Sequence, residues 1–437
     1  MNKNHIFEKI SMLLLFFASI FVLVGFIPIR SDRLSRGAEK MLAEAGADSV
    51  SVGGISGTLF GGMRISNLCA YKRINANESY HIHVERIDVA SNLFWLAVTM
   101  PFHRSLFSSE RDMFHDAYKS PLGFVGALCD YWMAAVPVKK IILRGASVSF
   151  TDKKGLQGIA FSGISAKLSR VKKGIGTGTP RLVGSVTVAE AIIPTLAIVE
   201  NFSAELDASA KTLGIGGSGS IFGGELEASL ILGLTAKSDA LISGMMNEYS
   251  IVGGNARIKG LDLGQYVVGT KFSPGSISGK LDLEAQLKPS RADIDSIEAE
   301  GSAVITNLVA VNLALQNTRA VNRLSGDLRT LRFSEVRSDI QFSGGRVNFR
   351  EMVGIGGVLS FRSTGWIDFD GRLNHNFVGE FSPSFISALP RLIRNSFERT
   401  ANGGGRFNCR ITGTFHRPNV EIDRSMYNRA IRNVFRR

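Results

Sequence analysis

A two-residue alternation of apolar and polar side chains runs through most of this chain of 437 residues. It begins at Ser49, resumes at Val138 and continues to Gly379 with few interruptions. Such alternation is typical of β-strands that bury one face. The 47 glycines, against only 11 prolines, lie singly or in pairs between the alternating runs, where turns and bulges need a residue that tolerates a positive φ. The pattern therefore predicts a mostly β protein built as an extended antiparallel sheet, a sandwich or a barrel.

The alternating runs are apolar on one side only. Strands covered by protein on both faces carry near-continuous apolar runs, whereas the second side here carries Ser, Thr, Asn, Lys and Arg. A long sheet of this kind covers its apolar face either by folding over itself or by holding something apolar. The clearest predicted strands are Ile164–Leu168, Val183–Val188, Leu226–Leu232, Ile277–Leu287, Val304–Leu313 and Ile340–Phe349.

A long apolar segment near the start of the chain predicts a membrane anchor. Ile10 to Ile29 is twenty residues without a charge, and a helix of that length rises about 30 Å, the thickness of a bilayer core. Lys3 and Lys9 precede it, which favours a cytoplasmic N-terminus. Because the segment ends in a poor cleavage site, we expect an uncleaved single-pass helix rather than a removed signal or a core helix. Its membrane-facing residues include Ile10, Leu13, Phe16, Phe21, Val24 and Ile27.

Four further segments have helical patterns. Ser31 to Gly46 predicts a short helix that ends at its glycine. Residues 105–137 are rich in aromatic residues and poor in glycine, and they predict either a helical cap on a sheet end or an amphipathic segment lying on a membrane. Phe381 to Arg399 predicts a helix with one apolar stripe. The stripe comprises Phe385, Ile386, Leu389, Leu392, Ile393 and Phe397.

The last segment, Arg424 to Arg437, predicts a basic amphipathic helix. The formal charge of the chain is +13, and the stretch from Arg391 onward has eleven Arg against three acidic residues, a net charge of +8. Three interpretations stay open for the tail: a solvated face, a site for anionic lipid head groups or lipopolysaccharide phosphates, or a site for a protein partner. Nucleic acid is not predicted. The candidate contact residues are Arg424, Arg429, Arg432, Arg436 and Arg437.

Two patterns resemble cofactor or metal sites. Gly214 to Gly219 matches G-x-G-x-x-G, but the following residues alternate as a strand, so we predict a glycine turn and no dinucleotide site. His81 and His83 lie two apart on one face of a predicted strand. A third ligand is absent from the nearby sequence, which favours an ordinary surface pair over a metal site.

The remaining reactive residues predict no catalytic centre. Nucleophile, phosphate-loop and zinc-helix motifs are absent from the sequence, and an envelope enzyme is therefore the least favoured class. We interpret Asp293, Asp295, Glu298 and Glu300 as a solvated loop, and Cys69, Cys129 and Cys409 as unpaired thiols without metal spacing.

The order of several segments resembles the AsmA-like family, which includes TamB-type inner-membrane-anchored envelope proteins. Val52–Leu68, after the apolar segment, resembles the glycine-punctuated hairpin at the family's start. A closing G-T-x-x-x-P followed by a short acidic strand carries most of the resemblance. The matching C-terminal segments are Gly301–Leu313, Leu328–Ser343, Gly344–Val347, Ser363–Asp370, Ile411–Pro418 and Val420–Asp423.

The resemblance implies a bacterial periplasmic protein held in the inner membrane by one helix. Its sheet would be elongated and curled into a groove, with phospholipid acyl chains held inside and a few amphipathic helices. Such proteins take part in phospholipid transport to the outer membrane and in outer-membrane homeostasis. A non-catalytic assembly factor for outer-membrane proteins is the alternative, and anionic lipid or an outer-membrane protein is the expected partner at the C-terminal end.

These patterns predict seven regions along the chain. They are a cytoplasmic N-terminus (1–9), a transmembrane anchor (10–29), an N-terminal β region (30–104), a helical segment (105–137), a middle β-groove region (138–295), an AsmA-like C-terminal region (296–423) and a basic amphipathic tail (424–437).

Overall fold

The structure is a computed structural model of the chain. It describes residues 29–30, 32–44, 47–58, 62–73, 79–90, 139–151, 157–171, 181–193, 197–209, 212–235, 248–270, 276–291, 296–311, 326–368, 371–414 and 417–423. The predicted helical segment and basic tail lie outside these residues, as does the predicted anchor up to residue 28.

The described residues are mostly β, as the alternation predicts. Their strands form one antiparallel sheet of 21 strands. The helices that accompany it are short: α1 (Asp32–Glu44), α2 (Leu263–Thr270), α3 (Pro383–Ala388), α4 (Arg391–Arg394) and a 3-10 turn at Gly326–Arg329. The chain divides into two compact units: the described residues up to Ile192 belong to the first unit, and those from Ser250 onward belong to the second.

In the first unit each strand from β1 to β7 pairs antiparallel with the next along the chain. Most of these neighbours are joined by short connections, as the glycine-punctuated sequence predicts. The exceptions are β1 and β2, which are separated by α1, and β4 and β5, which are separated by residues 91–139. A small apolar core of Val89 and Ile141 lies on this sheet. The strands are β1 (Ile29–Arg30), β2 (Ser49–Thr58), β3 (Gly62–Arg73), β4 (Ser79–Ala90), β5 (Lys140–Thr151), β6 (Gln157–Val171) and β7 (Arg181–Ile193).

In the second unit the strands from β11 onward pair antiparallel in chain order, with the short β13 and β19 beside their longer neighbours. Residues of β8 to β11 are divided between the two units. The strands are β8 (Ala197–Ala208), β9 (Thr212–Ile221), β10 (Gly224–Thr235), β11 (Glu248–Asp262), β12 (Ser276–Leu287), β13 (Ser290–Arg291), β14 (Ala299–Val311), β15 (Thr330–Ser343), β16 (Arg346–Gly356), β17 (Leu359–Asp368), β18 (Arg372–Phe381), β19 (Glu398–Arg399), β20 (Gly405–Thr414) and β21 (Arg417–Ile422).

The N-terminal end of the described chain differs from the sequence prediction in one residue. Ile29, predicted as the last residue of the anchor, lies in β1, where Ile29 and Arg30 pair with Gly57 and Ser56. Helix α1 agrees with the predicted short helix. Among the described residues, no helix has the length and apolar character needed to cross a membrane. The anchor at 10–28 stays a prediction, as does the groove-like curl of the sheet.

One predicted strand and one predicted turn differ in the structure, because the chain reverses at other residues than the sequence suggests. The predicted strand Ile340–Phe349 is a hairpin, since Gly344 and Gly345 have φ of 57° and 68° and reverse the chain between β15 and β16. The predicted glycine turn at Gly214–Gly219 is the interior of strand β9, and the reversal comes after it, at Phe222 and Gly223 with φ of 45° and 73°.

The predicted helix over Phe381–Arg399 is two short helices. Phe381 completes β18, and Ser382 caps α3 by accepting a hydrogen bond from the N–H of Phe385. Pro390 then separates α3 from α4, because proline lacks an N–H and forces the residue before it into an extended conformation. Leu389 adopts that conformation, with φ −73° and ψ 147°. The apolar stripe still reaches the core, where Phe385, Ile386, Leu389 and Phe397 are buried.

Three asparagines sit within strands in the left-handed conformation. Asn67, Asn201 and Asn307 have φ of 49°, 51° and 53°. In β14, Asn307 forms a bulge, because Thr306 pairs with Lys280 while Val309 pairs with Ser278. A bulge of this kind shifts the alternation by one residue. The side chains of Ile305 and Leu308 consequently reach the same core, although they are three residues apart.

Replacing Asn307 tests whether its left-handed conformation is needed. Asn307→Val places a β-branched residue at φ 53°, which costs about 1–2 kcal/mol, whereas Asn307→Gly fits the same conformation. Urea unfolding of the full chain, followed by circular dichroism, should give a clearly lower midpoint for the valine variant only. Equal midpoints for the two variants would contradict the role assigned to the bulge.

The densest core of the second unit centres on Phe381, which is only 2% exposed. Its ring stacks on Phe385 and Phe407 at centroid distances of 4.6 and 5.0 Å and meets Phe397 edge-on at 5.6 Å. The core joins helices α3 and α4 to the sheet.

Truncating this ring should destabilise the protein strongly. Phe381→Ala removes a buried aromatic side chain, which costs about 3–5 kcal/mol. Val378→Ala is the matched control on the same strand, because Val378 is 41% exposed and its truncation costs about 0.5 kcal/mol or less. The two variants are compared by the midpoint of urea unfolding. A similar shift for both would show that α3 and α4 do not depend on this core.

Candidate functional site

The most distinctive feature of the second unit is that polar and apolar side chains lie on opposite sides of its sheet, as β12 shows most clearly. Every second residue of this strand is exposed and polar: Ser276, Ser278, Lys280, Asp282, Glu284 and Gln286. The residues between them are partly buried and, apart from Gly279, carry apolar side chains: Ile277, Leu281, Leu283, Ala285 and Leu287. Because side chains alternate across a strand, β12 presents one polar and one apolar side.

The hydrogen-bond register carries this division across the following strands. Residues opposite one another in an antiparallel pair point to the same face. The register defines a row of side chains that begins at Leu283 and crosses the sheet on one face. Most residues of this row are apolar. The row is Leu283, Ala303, Ser338, Met352, Ser363, Phe377, Cys409 and Ile422. We call the side of β11–β21 that contains this row the apolar face, and the opposite side the polar face.

Glycines on the apolar face make room for aromatic rings from neighbouring strands. A Cβ at Gly354 would lie 2.2 Å from the ring of Phe361, and one at Gly379 would lie 2.4 Å from the ring of Phe407. Phe361 in turn stacks on Phe377 at a centroid distance of 4.9 Å. The rings therefore lie over the backbone of the next strand, and the apolar face is continuous from strand to strand.

One end of the apolar face is covered by α3 and α4. Phe385 and Ile386 pack there with Phe333 and Leu359 from the sheet. A neighbouring cluster around Leu261 and Leu263 packs on the strands next to β12. Between these clusters and the far ends of the strands, the apolar side chains stay partly buried, among them Leu283, Ala303, Phe342, Val347, Phe349 and Ile367.

The polar face carries ion pairs between neighbouring strands. Glu300 Oε1 lies 2.7 Å from Lys288 Nζ and 2.9 Å from Arg350 Nη2, and the hydrogen bond from Lys288 lowers the pKa of Glu300. Glu300 lies in strand β14, so its prediction as part of a solvated loop is wrong. Exposed pairs of this kind contribute little to stability. The polar face is a charged surface suited to water.

Polar side chains also occur on the apolar face, at three buried positions. Ser338, Ser363 and His375 are 7%, 4% and 8% exposed. Ser363 Oγ lies 3.0 Å from His375 Nδ1, and the two residues are on neighbouring strands. Burial lowers the pKa of His375 to about 4, so that its imidazole is neutral at pH 7. Burial likewise raises the pKa of Cys409 to about 12, which keeps this residue a thiol.

The predicted histidine pair on β4 has a neighbour that sequence spacing does not reveal. Cys69 lies opposite His83 in the pairing of β3 with β4, and its Sγ is 3.1 Å from His83 Nδ1. His81 is exposed, two residues away on the same strand. Within the part of the chain that the structure describes, no group of three metal-ligating side chains comes together.

The lipid-contact residues of the tail and the membrane-facing residues of the anchor, both predicted from the sequence, are not among those described. The tail residues Arg424, Arg429, Arg432, Arg436 and Arg437 lie outside the described ranges, as do the anchor residues Ile10, Leu13, Phe16, Phe21, Val24 and Ile27. Their roles stay predictions. The Ser363–His375 pair was missed, although alternation was a usable signal: His375 takes an apolar position between Leu373 and Phe377.

Comparison of this chain with protein-family models, with curated proteins and with solved structures finds no match. The resemblance to AsmA-like proteins therefore stays a prediction from the sequence.

The low pKa of His375 makes stability depend on pH. Below pH 6.5 the unfolded chain binds a proton at this residue, while the folded chain does not until about pH 4. Stability is therefore lost as the pH falls from 6.5 to 4, by on the order of 3 kcal/mol. The variant His375→Phe should lose this dependence.

The test compares the free energy of unfolding at pH 7 and pH 4.5 for the wild-type chain, His375→Phe and the control His81→Phe. The control changes an exposed histidine and should keep the wild-type slope. If His375→Phe also keeps it, the buried histidine is not its source.

Proposed function

We propose that this protein holds the acyl chains of phospholipids on its apolar face and takes part in phospholipid transport between the inner and outer membranes of a bacterial envelope. The observation that carries the proposal is the row-by-row segregation of apolar and polar side chains on β11–β21. A single reactive pocket would gather polar groups at one place, whereas this surface extends from strand to strand.

The energetics of such a face suit acyl chains. Removing apolar surface from water contributes roughly 25 cal/mol per Å², or about 0.8 kcal/mol for each buried methylene. Charged head groups gain nothing from the apolar face and cost free energy if they are buried there. The acyl chains would therefore lie on the apolar face, while the head groups stay in water.

The predicted ends of the chain place this activity at membranes. An uncleaved anchor at 10–29 would hold the protein in the inner membrane as a single-pass protein with its bulk in the periplasm. The basic tail at 424–437 would meet anionic lipid or an outer-membrane partner, since each Arg near an anionic surface contributes about 1 kcal/mol. These roles rest on the sequence and on the resemblance to AsmA-like proteins, and they support outer-membrane homeostasis as the wider function.

Photo-crosslinking from matched positions tests the proposal. A photoreactive phenylalanine analogue replaces Leu283 or Ala303, which pair across β12 and β14 on the apolar face, and Asp282 or Val304, which pair one residue away on the polar face. We expect phospholipid adducts, identified by mass spectrometry after growth in cells, at Leu283 and Ala303 and several-fold fewer at the other two. Val304 is an apolar residue on the polar face, so it controls for local hydrophobicity.

Equal labelling on the two faces, or none on either, would overturn the proposal. Adducts with outer-membrane proteins at Leu283 and Ala303, without phospholipid, would instead support the assembly-factor alternative.

A further inference from the structure

We infer that Ser363 and His375 form a hydrogen-bonding site for the ester carbonyl of a bound acyl lipid. The inference rests on the proposed function and makes its ligand more specific. The pair lies on β17 and β18 within the apolar face, where Gly365 is directly opposite His375 and Ser363 is opposite Phe377. The only side-chain hydrogen bond of either residue among the described residues is the one that joins them.

The surroundings of the pair are apolar. The ring of Phe349 lies 5.4 Å from the imidazole of His375, and Met352 is opposite Ser363 in the pairing of β16 with β17. Gly365 leaves space for the imidazole, since a Cβ there would lie 2.8 Å from His375 Cγ. Two polar groups have thus been brought together at a place where apolar side chains would pack without penalty.

Counting hydrogens shows that the pair keeps one free donor. A serine hydroxyl has one hydrogen and a neutral imidazole has one N–H, and the contact between Oγ and Nδ1 uses only one of them. If Ser363 donates to Nδ1, the N–H at Nε2 of His375 is left free. If Nδ1 donates to Ser363, the serine hydroxyl is left free. Either tautomer therefore presents an unpaired donor on the apolar face.

The chemistry of this donor favours an uncharged acceptor. Burial keeps His375 neutral, so the pair supplies no positive charge to balance a phosphate, and an anion buried here would pay the full cost of desolvation. An ester carbonyl is an uncharged acceptor, and it lies at the end of every acyl chain in a diacyl phospholipid. Ser338, the other buried serine of this face, already donates to the backbone oxygen of Asp339.

The same geometry does not favour hydrolysis of that ester. A nucleophilic serine needs a base that is oriented by a third group. Among the described residues, His375 has no such carboxylate partner. The pair is therefore a binding site rather than a catalytic one.

The experiment compares two lipids that differ only in the carbonyl. The affinity of the purified full chain is measured for a diacyl phosphatidylcholine and for the dialkyl ether analogue with the same chain length and head group. We expect the wild-type chain to bind the ester lipid about fivefold more tightly, as one neutral hydrogen bond supplies. His375→Phe and Ser363→Ala should reduce this preference to about onefold. Thr364→Ala, which changes an exposed residue on the polar face beside Ser363, should preserve it.

The wild-type comparison needs no variant, so a variant that fails to fold does not block the test. Equal affinity of the wild-type chain for the two lipids would overturn the inference and leave the proposed function standing. Binding of neither lipid would overturn both. A fivefold preference that persists in folded His375→Phe and Ser363→Ala would place the carbonyl site elsewhere and overturn this assignment.

Discussion

The antiparallel hydrogen-bond register is the constraint on which the rest of the second unit depends. Each backbone pairing fixes which two side chains share a face, and a slip of one residue would turn every side chain of a strand over. On the apolar face, the residues of β12 lie opposite apolar residues or glycine of β14, from Leu287 with Ala299 to Ile277 with Ala310. With Ser338 as the exception, the same relation continues through β15 and β16. The apolar face is therefore a property of the pairing and not of any single strand.

Strands of this length need interruptions that do not spoil the division between faces. The bulge at Asn307 in β14 and the register shift between Phe333 and Glu335 in β15 lie beside each other. Each inserts one residue and reverses the alternation beyond it. Because neighbouring strands change together, Leu308 and Phe333 stay on the apolar face with Ile305 and Val336. Irregularities that would disturb a single strand thus preserve the face when they are matched across the sheet.

The sequence predicts most of the strands because the alternation is strong where the structure is regular. Ile277–Leu287 agrees almost residue for residue with β12. The prediction is wrong where the alternation continues across a turn and where glycines lie inside a strand. The hairpin at Gly344 and Gly345 continues the alternation across a turn, so Ile340–Phe349 looks like one strand. The glycines at 214–219 look like a turn but pair as a strand, because the chain reverses at Phe222 and Gly223 instead.

The candidate site could be predicted only in part from the sequence. An apolar face follows from period-two alternation alone, and it was predicted. Alternation also indicates that His375 lies on this face, but its contact with Ser363 cannot be predicted from the sequence, since the two residues are twelve positions apart and meet only through the register of β17 with β18. The contact of Cys69 with His83 escaped for the same reason.

The Ser363–His375 pair also explains how a polar site can persist on an apolar face. A buried donor without a partner costs about 1–3 kcal/mol, and an isolated serine or histidine here would pay that cost for each of its polar groups. Together they satisfy one another and leave a single donor, so most of the penalty is removed while one point of recognition is kept. Under the inference drawn above, a lipid that supplies a carbonyl there would recover the remainder. In the proposed function, the apolar face would thereby gain a fixed position at which the end of an acyl chain binds more tightly than its middle.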